Sequence, residues 1–218
     1  MKTRFIFVRH GQSTGNLSKR FAGQIDVKLT ETGIKQGKCT GEYLKNKKID
    51  FFYSSTLSRA YDTACYCAEF HNKPVNKIDD LKEINGGYWE DLTYPQIKET
   101  YPQNYNNWVT NIGIAHCDGG ESVEDVMNRV YNATKVLAEK HKGKTVLIGT
   151  HGMALRAFIL KVLNLPLEKM QTDLLWVSNA SVTYVDYENG EFNLLEYGYD
   201  AHLEKVGLKT ELKSKAED

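Results

Sequence analysis

The stretch that most constrains this chain is an apolar run over residues 3–8 that ends in Arg9-His10-Gly11. The run is short and rich in β-branched and aromatic residues, which predicts a buried β-strand. Open α/β sheets bind ligands at the carboxyl ends of their strands, where this triplet would lie. Imidazole is a competent nucleophile near neutral pH, and guanidinium grips phosphate at two points. The triplet therefore predicts phosphoryl chemistry through a histidine.

A second segment repeats the same order of residues. The apolar run over residues 144–149 is followed by Thr150-His151-Gly152. A lone histidine after a strand is usually structural, but two with the same strand–His–Gly order are harder to dismiss. If the two strands are parallel neighbours, His10 and His151 arrive at the same edge of the sheet.

The chain alternates strands with helices, which predicts an α/β fold with three α/β/α layers and a mostly parallel central sheet. Two further strands, over residues 182–187 and 192–197, bracket an Asn-Gly turn and predict a hairpin at one edge. We expect one domain over residues 1–218. The other predicted elements are strands at 50–54 and 75–78 and helices from 30, over 55–71, from 122 and over 153–163.

Two of the predicted helices carry informative patterns. Gly33, Gly37 and Gly41 share one face of the first helix, which predicts close approach to the sheet, although loose composition would give the same spacing. Ser122 and Asp125 form a capping box that opens a long amphipathic helix, in which Val136 is one of the apolar positions.

Residues 84–120 lose the regular alternation of strands and helices. Long irregular insertions usually carry function, so we expect a lid over the carboxyl ends of the strands. Within it, an early proline predicts short helices at residues 95–100 and 102–110. The charged tail over residues 205–218 is expected to be frayed.

The bulk composition narrows the class of partner. Lysine plus arginine equals aspartate plus glutamate, so no global field attracts nucleic acid or an anionic membrane. No apolar run approaches membrane-spanning length, and no signal-peptide layout is present. Four cysteines in a chain of 218 residues do not suggest a disulfide framework. These features favour a cytoplasmic protein that acts on a small molecule.

Two further residues fit a phosphate site. Arg59 lies early in a predicted helix, where the positive end of the helix disfavours a cation unless an anion binds between them. Alone, it would be interpreted as a surface arginine. Glu83 follows the third predicted strand, and a phosphate site needs a proton donor for the departing oxygen. Its alternative is a solvated loop carboxylate.

Taken in order, these pieces resemble the histidine phosphatase superfamily, in the branch of the phosphoglycerate mutases and related small phosphatases. The match runs from residue 9 to about residue 152 and is specific as a combination. It comprises Arg9-His10-Gly11-Gln12-Ser13 through Asn16, Gly23, Asp26, Leu29-Thr30, Gly33, Ser54-Ser55, Arg59-Ala60, Thr63-Ala64, Glu83, Gly87, Trp89-Glu90, Gly119-Gly120-Glu121-Ser122 and Thr150-His151-Gly152.

The resemblance implies a role for each site residue and calls for no metal or cofactor. His10 would be the nucleophile that becomes phosphohistidine. Glu83 would protonate the leaving alkoxide and then deprotonate the attacking water. Five residues would bind or hold the phosphoryl group, and they are Arg9, Asn16, Gly23, Arg59 and His151.

The resemblance alone does not separate hydrolysis from phosphate transfer between hydroxyls. A mutase needs cations in the insert to grip a carboxylate and a second phosphate, and residues 84–120 offer only Lys98 and His116. The insert is also aromatic, and we expect one or two of its aromatic side chains to line the pocket. We therefore predict a metal-independent phosphomonoesterase for small phosphate monoesters. The alternatives are a phosphoglycerate mutase-type phosphotransferase and a catalytically silent phosphate-binding protein.

Overall fold

The computed structural model describes residues 1–210 and builds them around one six-stranded sheet. The strands are β1 (Thr3–Arg9), β2 (Phe51–Ser54), β3 (Val75–Lys77), β4 (Thr145–Thr150), β5 (Val182–Glu188) and β6 (Glu191–Tyr199). Their order is β3-β2-β4-β1-β5-β6. Strands β1 to β4 are parallel to one another. Strand β5 runs antiparallel to β1, and β6 runs antiparallel to β5. The mostly parallel sheet with a hairpin at one edge is confirmed.

Helices occupy both faces of the sheet and the insert. The α-helices are α1 (Thr14–Leu17), α2 (Glu31–Leu44), α3 (Ser58–Ala68), α4 (Tyr94–Thr100), α5 (Pro102–Thr110), α6 (Val123–Lys140), α7 (Gly152–Val162), α8 (Met170–Asp173) and α9 (Ala201–Glu204). Short 3-10 helices lie at Glu69–His71, Asp79–Leu81, Gly87–Trp89, Ile112–Ile114 and Leu167–Lys169. No helix among residues 1–210 has the length and apolar character needed to cross a membrane.

Strand β1 shows why the sheet is buried on both faces. Its side chains alternate, so Phe5 and Phe7 pack into a core with α6 and α7, whereas Ile6 and Val8 pack into a second core with α2 and α3. All four side chains are almost completely buried. The three α/β/α layers follow from this two-sided burial.

The glycines of α2 do approach a neighbour closely, but the neighbour is not the predicted sheet. A Cβ on Gly33 would lie 1.9 Å from the carbonyl oxygen of Gln12, and one on Gly41 would lie 2.4 Å from the carbonyl oxygen of Tyr66. A Cβ on Gly37 would also meet the Tyr66 ring. This face therefore packs on α3 and on the loop after β1, because α2 lies over α3.

The prediction for α6 is confirmed at its start and wrong at one position. Ser122 accepts a hydrogen bond from the Asp125 amide, and the Asp125 carboxylate accepts one from the Ser122 amide, which completes the capping box. Val136 is 67% exposed, whereas the sequence pattern predicts it on the apolar face. The buried residue of this turn is the neighbouring Leu137, so an apolar side chain in the helix does not by itself indicate burial.

Both predicted helices of the insert are present, as α4 and α5, with a proline in the first turn of each. The described part of the tail is held on the body, so the prediction of fraying is wrong for residues 205–210. The Leu208 carbonyl accepts a hydrogen bond from Gln36, and the Lys209 ammonium lies 3.3 Å from Asp200. The rest of the predicted tail, residues 211–218, lies outside the described residues.

Candidate active site

The register of β1 and β4 brings the two predicted histidines together. Arg9 pairs with Thr150 across the parallel ladder, and the His10 amide donates to the Thr150 carbonyl at 2.9 Å. Each histidine is the next residue after its strand, so both rings project from the same sheet edge. Their ring centroids are 5.2 Å apart.

A backbone contact fixes the tautomer of His10. Its Nδ1 atom lies 2.7 Å from the carbonyl oxygen of Gly11. A carbonyl oxygen can only accept, so Nδ1 carries the proton and Nε2 carries the lone pair. The side chain is almost completely buried, yet it forms part of the wall of a cavity. Nε2 is therefore the basic nitrogen of the neutral His10 ring.

His151 is completely buried beside His10 and does not line the cavity. Its Nε2 atom lies 2.8 Å from the Ser55 hydroxyl, and its Nδ1 atom has no hydrogen-bond partner within residues 1–210. Burial, and then the positive charge of Arg59, hold the pKa of His151 well below its usual range. A buried polar atom without a partner is costly, and an oxygen of a bound anion would satisfy it.

Arg9 brings a buried cation to the end of β1. One terminal nitrogen donates to the Val177 carbonyl, and Nε has no partner in the part of the chain that the structure describes. Burial lowers the pKa of Arg9 to about 10, while the negative charge of Glu83 opposes that shift. The guanidinium stays protonated near neutral pH and needs an anion.

Arg59 lies in the first turn of α3, and its guanidinium forms hydrogen bonds with the loop before α2. It donates to the carbonyl oxygens of Ile25 and Gly23, each at 2.8 Å. Burial lowers the pKa of Arg59, and the charge of Glu83 acts in the opposite direction. Gly23 has φ +47°, and a Cβ there would lie 2.3 Å from the Glu90 carboxylate. Glycine is therefore required at this position.

The carboxyl group of Glu83 lies at the amino end of α7, the helix that begins directly after His151. Its Oε1 atom accepts from the amides of Ile84 (3.0 Å) and Ala154 (3.2 Å), and Oε2 accepts from Met153 (3.2 Å). The positive end of a helix favours a carboxylate. These contacts hold the carboxyl group against the same cavity that His10 lines.

Asn16 lies in α1, and its side-chain oxygen accepts from the amide and hydroxyl of Ser13 at 2.9 and 3.0 Å. The cavity has a volume of about 510 Å³. Six of the seven predicted site residues line it, His151 being the exception, and they are Arg9, His10, Asn16, Gly23, Arg59 and Glu83.

The insert supplies part of the opposite wall. Its two lining aromatic side chains are Tyr94 and Trp108, which confirms the prediction of one or two. The other aromatic residues of the insert include Trp89, which is fully buried, and Tyr88, which is 68% exposed. Neither Lys98 nor His116 reaches the cavity. The insert thus gives the cavity an apolar wall without a cation.

Sequence reasoning missed several lining residues outside the insert, among them Arg20, Gln171, Trp176 and Asn179. Asn179 had a usable signal. It lies three residues before β5, which runs antiparallel beside β1, so the start of β5 meets the end of β1. Arg20 and Gln171 lie in segments without hydrophobic periodicity, and no local pattern distinguishes them from surface residues.

Comparisons with known proteins agree with this geometry. The family model described as the histidine phosphatase superfamily (branch 1) matches residues 5–200. Phosphoserine phosphatase 1 of Hydrogenobacter thermophilus is 32% identical over 200 residues, which cover 92% of this chain and 94% of that protein. The metal-independent phosphoserine phosphatase of Arabidopsis thaliana is 33% identical over 214 residues, which cover 94% and 85% of the two chains.

The fold matches as well as the sequence. The solved structure of Bacillus stearothermophilus YhfR superimposes with a TM-score of 0.87 at 28% identity, covering 92% of this chain and 99% of that one. The residues matched by the family model, 5–200, include both strand-end histidines. The chain therefore belongs to branch 1 of the histidine phosphatase superfamily.

Proposed function

We propose that this protein hydrolyses small phosphate monoesters through a phosphohistidine at His10. The observation that carries the proposal is the Nδ1 contact of His10 with the Gly11 carbonyl, which assigns the lone pair of the neutral ring to Nε2 in a side chain that lines the cavity. Arg9 and Arg59 bring two buried guanidinium groups to the same cavity. A nucleophile beside two cations is the arrangement that phosphoryl transfer needs.

The first step forms the covalent intermediate. The Nε2 lone pair of His10 attacks phosphorus, the bond from phosphorus to the ester oxygen breaks, and that oxygen takes the electron pair. The Glu83 carboxyl group supplies the proton, so the alcohol leaves in neutral form. Arg9, Arg59, Asn16, Gly23 and His151 are the proposed binding groups, and the guanidiniums offset the charge on the phosphoryl oxygens.

The second step returns the enzyme to its starting state. Water attacks the phosphorus of phosphohistidine, and the Glu83 carboxylate takes a proton from that water. The bond from phosphorus to Nε2 breaks, its electron pair returns to His10, and inorganic phosphate leaves. Two guanidiniums and an imidazole supply the charge in both steps, so neither step requires a metal.

The cavity wall supports small monoesters with an apolar or aromatic alcohol. Phe21, Tyr94 and Trp108 line this space, and among the described residues Arg20 is the one lining cation besides Arg9 and Arg59. We propose that residues 84–120 act as the lid that selects the leaving group within a single domain. Two relatives are named phosphoserine phosphatases, so L-phosphoserine belongs among the first substrates tested.

The net charge and the cysteines support a small-molecule substrate and a cytoplasmic location. A net charge of zero favours a small-molecule substrate over a nucleic acid. The four cysteines are free thiols, which fits a reducing cytoplasm. A mutase would need cations on the insert for a second anionic group, and the insert places none at the cavity.

Release of inorganic phosphate tests the proposal. Purified protein is assayed with phenyl phosphate and L-phosphoserine, with and without EDTA, beside an assay that interconverts 2- and 3-phosphoglycerate. We expect hydrolysis that EDTA does not change and that His10→Asn abolishes. Faster interconversion than hydrolysis would establish the mutase. Failure to release phosphate from every ester would establish the silent binding protein.

A further inference from the structure

The loop that carries Glu83 is held from behind by an arginine with no contact to the cavity. Arg129, on α6, donates from one terminal nitrogen to the carbonyl oxygens of Asp80 (2.9 Å) and Lys82 (2.7 Å). Its other terminal nitrogen donates to the carbonyl oxygen of Glu83 itself at 2.9 Å. One guanidinium thus binds three backbone oxygens within four residues of the proposed general acid.

Glu121, the residue that follows the insert, completes this arrangement. Its carboxylate receives Nε and a terminal nitrogen of Arg129 at 2.7 and 2.9 Å, which is a two-point ion pair. The same carboxylate accepts from the Asn85 amide at 2.8 Å, and the Glu121 amide donates to the Asn85 carbonyl at 2.9 Å. The loop is therefore fixed on both sides of Glu83.

The side chain and the backbone of Glu83 are held by different helices. Its carboxyl group is bound by the first amides of α7, and its carbonyl oxygen is bound by Arg129 of α6. A displacement of the loop backbone would carry the carboxyl group with it. General acid catalysis requires the donor within hydrogen-bond reach of the leaving oxygen, so small displacements reduce it strongly.

We propose that Arg129, paired with Glu121, is a positioning residue that holds the Glu83 loop in register for proton donation to the leaving group. The proposal rests on the proposed role of Glu83 as general acid. The guanidinium fork is essential to it, because an ammonium group cannot bind three carbonyls and a carboxylate in one plane. Arg129 and Glu121 are mostly buried, so solvent does not compete freely for these bonds.

Leaving groups of different acidity separate positioning from simple stabilisation. Phenolate is a poor leaving group near neutral pH and depends on proton donation. 2,4-Dinitrophenolate is the anion of a far stronger acid and leaves without it. The kcat/KM value reports the steps up to departure of the alcohol, so it reads the acid directly. The ratio of kcat/KM for the two esters within one variant is independent of the fraction of enzyme that is folded.

The experiment measures that ratio in wild type, R129Q, R129K, E121Q and E83Q. We expect E83Q to show the largest loss on phenyl phosphate relative to the dinitrophenyl ester. In R129Q, R129K and E121Q the ratio should fall by about tenfold, part of the roughly 10²–10⁴-fold that a positioned general acid contributes. R129K keeps the charge and loses the fork, so it should resemble R129Q.

Arg4 provides the matched control. It also forms a two-point pair, with Asp186 at 2.7 and 2.8 Å, but on the far side of the sheet from Glu83. R4Q should lose thermal stability and keep the wild-type ratio. Equal losses on both esters in R129Q, or a wild-type ratio in R129K, would overturn the positioning role. If E83Q also keeps the wild-type ratio, Glu83 is not the acid, and the proposed mechanism fails instead.

Discussion

The side-chain nitrogen Nδ2 of Asn179 donates to the side-chain oxygen of Asn16 at 3.3 Å and to the carbonyl oxygen of His10 at 3.1 Å. The Asn16 oxygen also accepts two bonds from Ser13. With its oxygen occupied, Asn16 offers its amide hydrogens to a ligand in the cavity. Asn179 thus orients both the nucleophile segment and a proposed phosphate-binding side chain.

Replacing Asn179 should weaken phosphate binding through Asn16. We expect N179A to raise KM for a monoester about tenfold, the equivalent of ~1.4 kcal/mol and typical of one hydrogen bond to a charged group. The double variant N16A/N179A should be little worse than N16A alone, because both act on one interaction. Steady-state kinetics of the three variants measure this coupling. Fully additive losses would show that the two residues act separately.

Anion binding should raise the pKa of His151, so that the imidazole takes up a proton from solution. Burial and Arg59 hold the pKa of this imidazole low in the empty site. A bound anion reverses the local charge, so it raises that pKa, and the complex takes up a proton. Calorimetry of phosphate binding at pH 7.5 in two buffers of different ionisation enthalpy measures the uptake. Wild type should take up more protons than H151N, and equal uptake would contradict the account.

Trp108 should contribute to leaving-group selectivity. Its ring lines the cavity and contacts Phe21 edge to face at a centroid distance of 5.1 Å. W108A should lower kcat/KM for phenyl phosphate relative to methyl phosphate by about fivefold, the equivalent of ~1 kcal/mol of aromatic contact. Y88A is the control, because Tyr88 lies in the insert, is 68% exposed and does not line the cavity. It should leave the selectivity intact.

His202 should make the fold sensitive to acid. Its ring lies nearly parallel to the rings of Tyr43 and Tyr199, with centroid distances of 4.6 and 5.7 Å, and Nε2 lies 2.9 Å from the Thr40 hydroxyl. Burial lowers the pKa of His202 to about 4, against 6.5 for a free side chain, while the Ala180 backbone and the Asp200 charge oppose that shift. The unfolded chain therefore binds a proton near pH 5 that the folded chain does not, so stability falls as the pH drops from about 6.5 towards 4.

The loss from His202 between pH 7.5 and pH 5 should be about 2 kcal/mol of unfolding free energy. Urea unfolding of wild type and H202Q at both pH values isolates it. Other histidines with lowered pKa values contribute equally to both proteins and cancel in the comparison. An identical pH dependence in the two proteins would refute the role of His202.

The sequence predicted those parts of the fold and site that depend on local pattern. His10 and His151 could be paired in advance because each follows a buried strand, and parallel neighbours deliver such residues to one edge. The capping box at Ser122 identified the start of α6 for a similar reason: its bonds lie within one turn.

The rest depends on contacts between distant segments. Glu83 was identified by chain order, but its binding to the amides of α7 and its support from Arg129 join residues tens of positions apart. The face of Gly33 and Gly41 was recognised as a close contact, yet helical spacing does not say which element lies opposite. Arg20 enters the cavity only through the path of the loop that carries it.

The most direct test of the account is rapid-quench trapping of the phosphoenzyme. The protein is mixed with 2,4-dinitrophenyl phosphate, quenched at alkaline pH within milliseconds, digested and mapped by mass spectrometry. We predict a transient, acid-labile phosphoryl group on His10 that forms and decays at rates compatible with turnover and is absent in His10→Asn. Turnover without any such species, or phosphate trapped on another residue, would contradict the account.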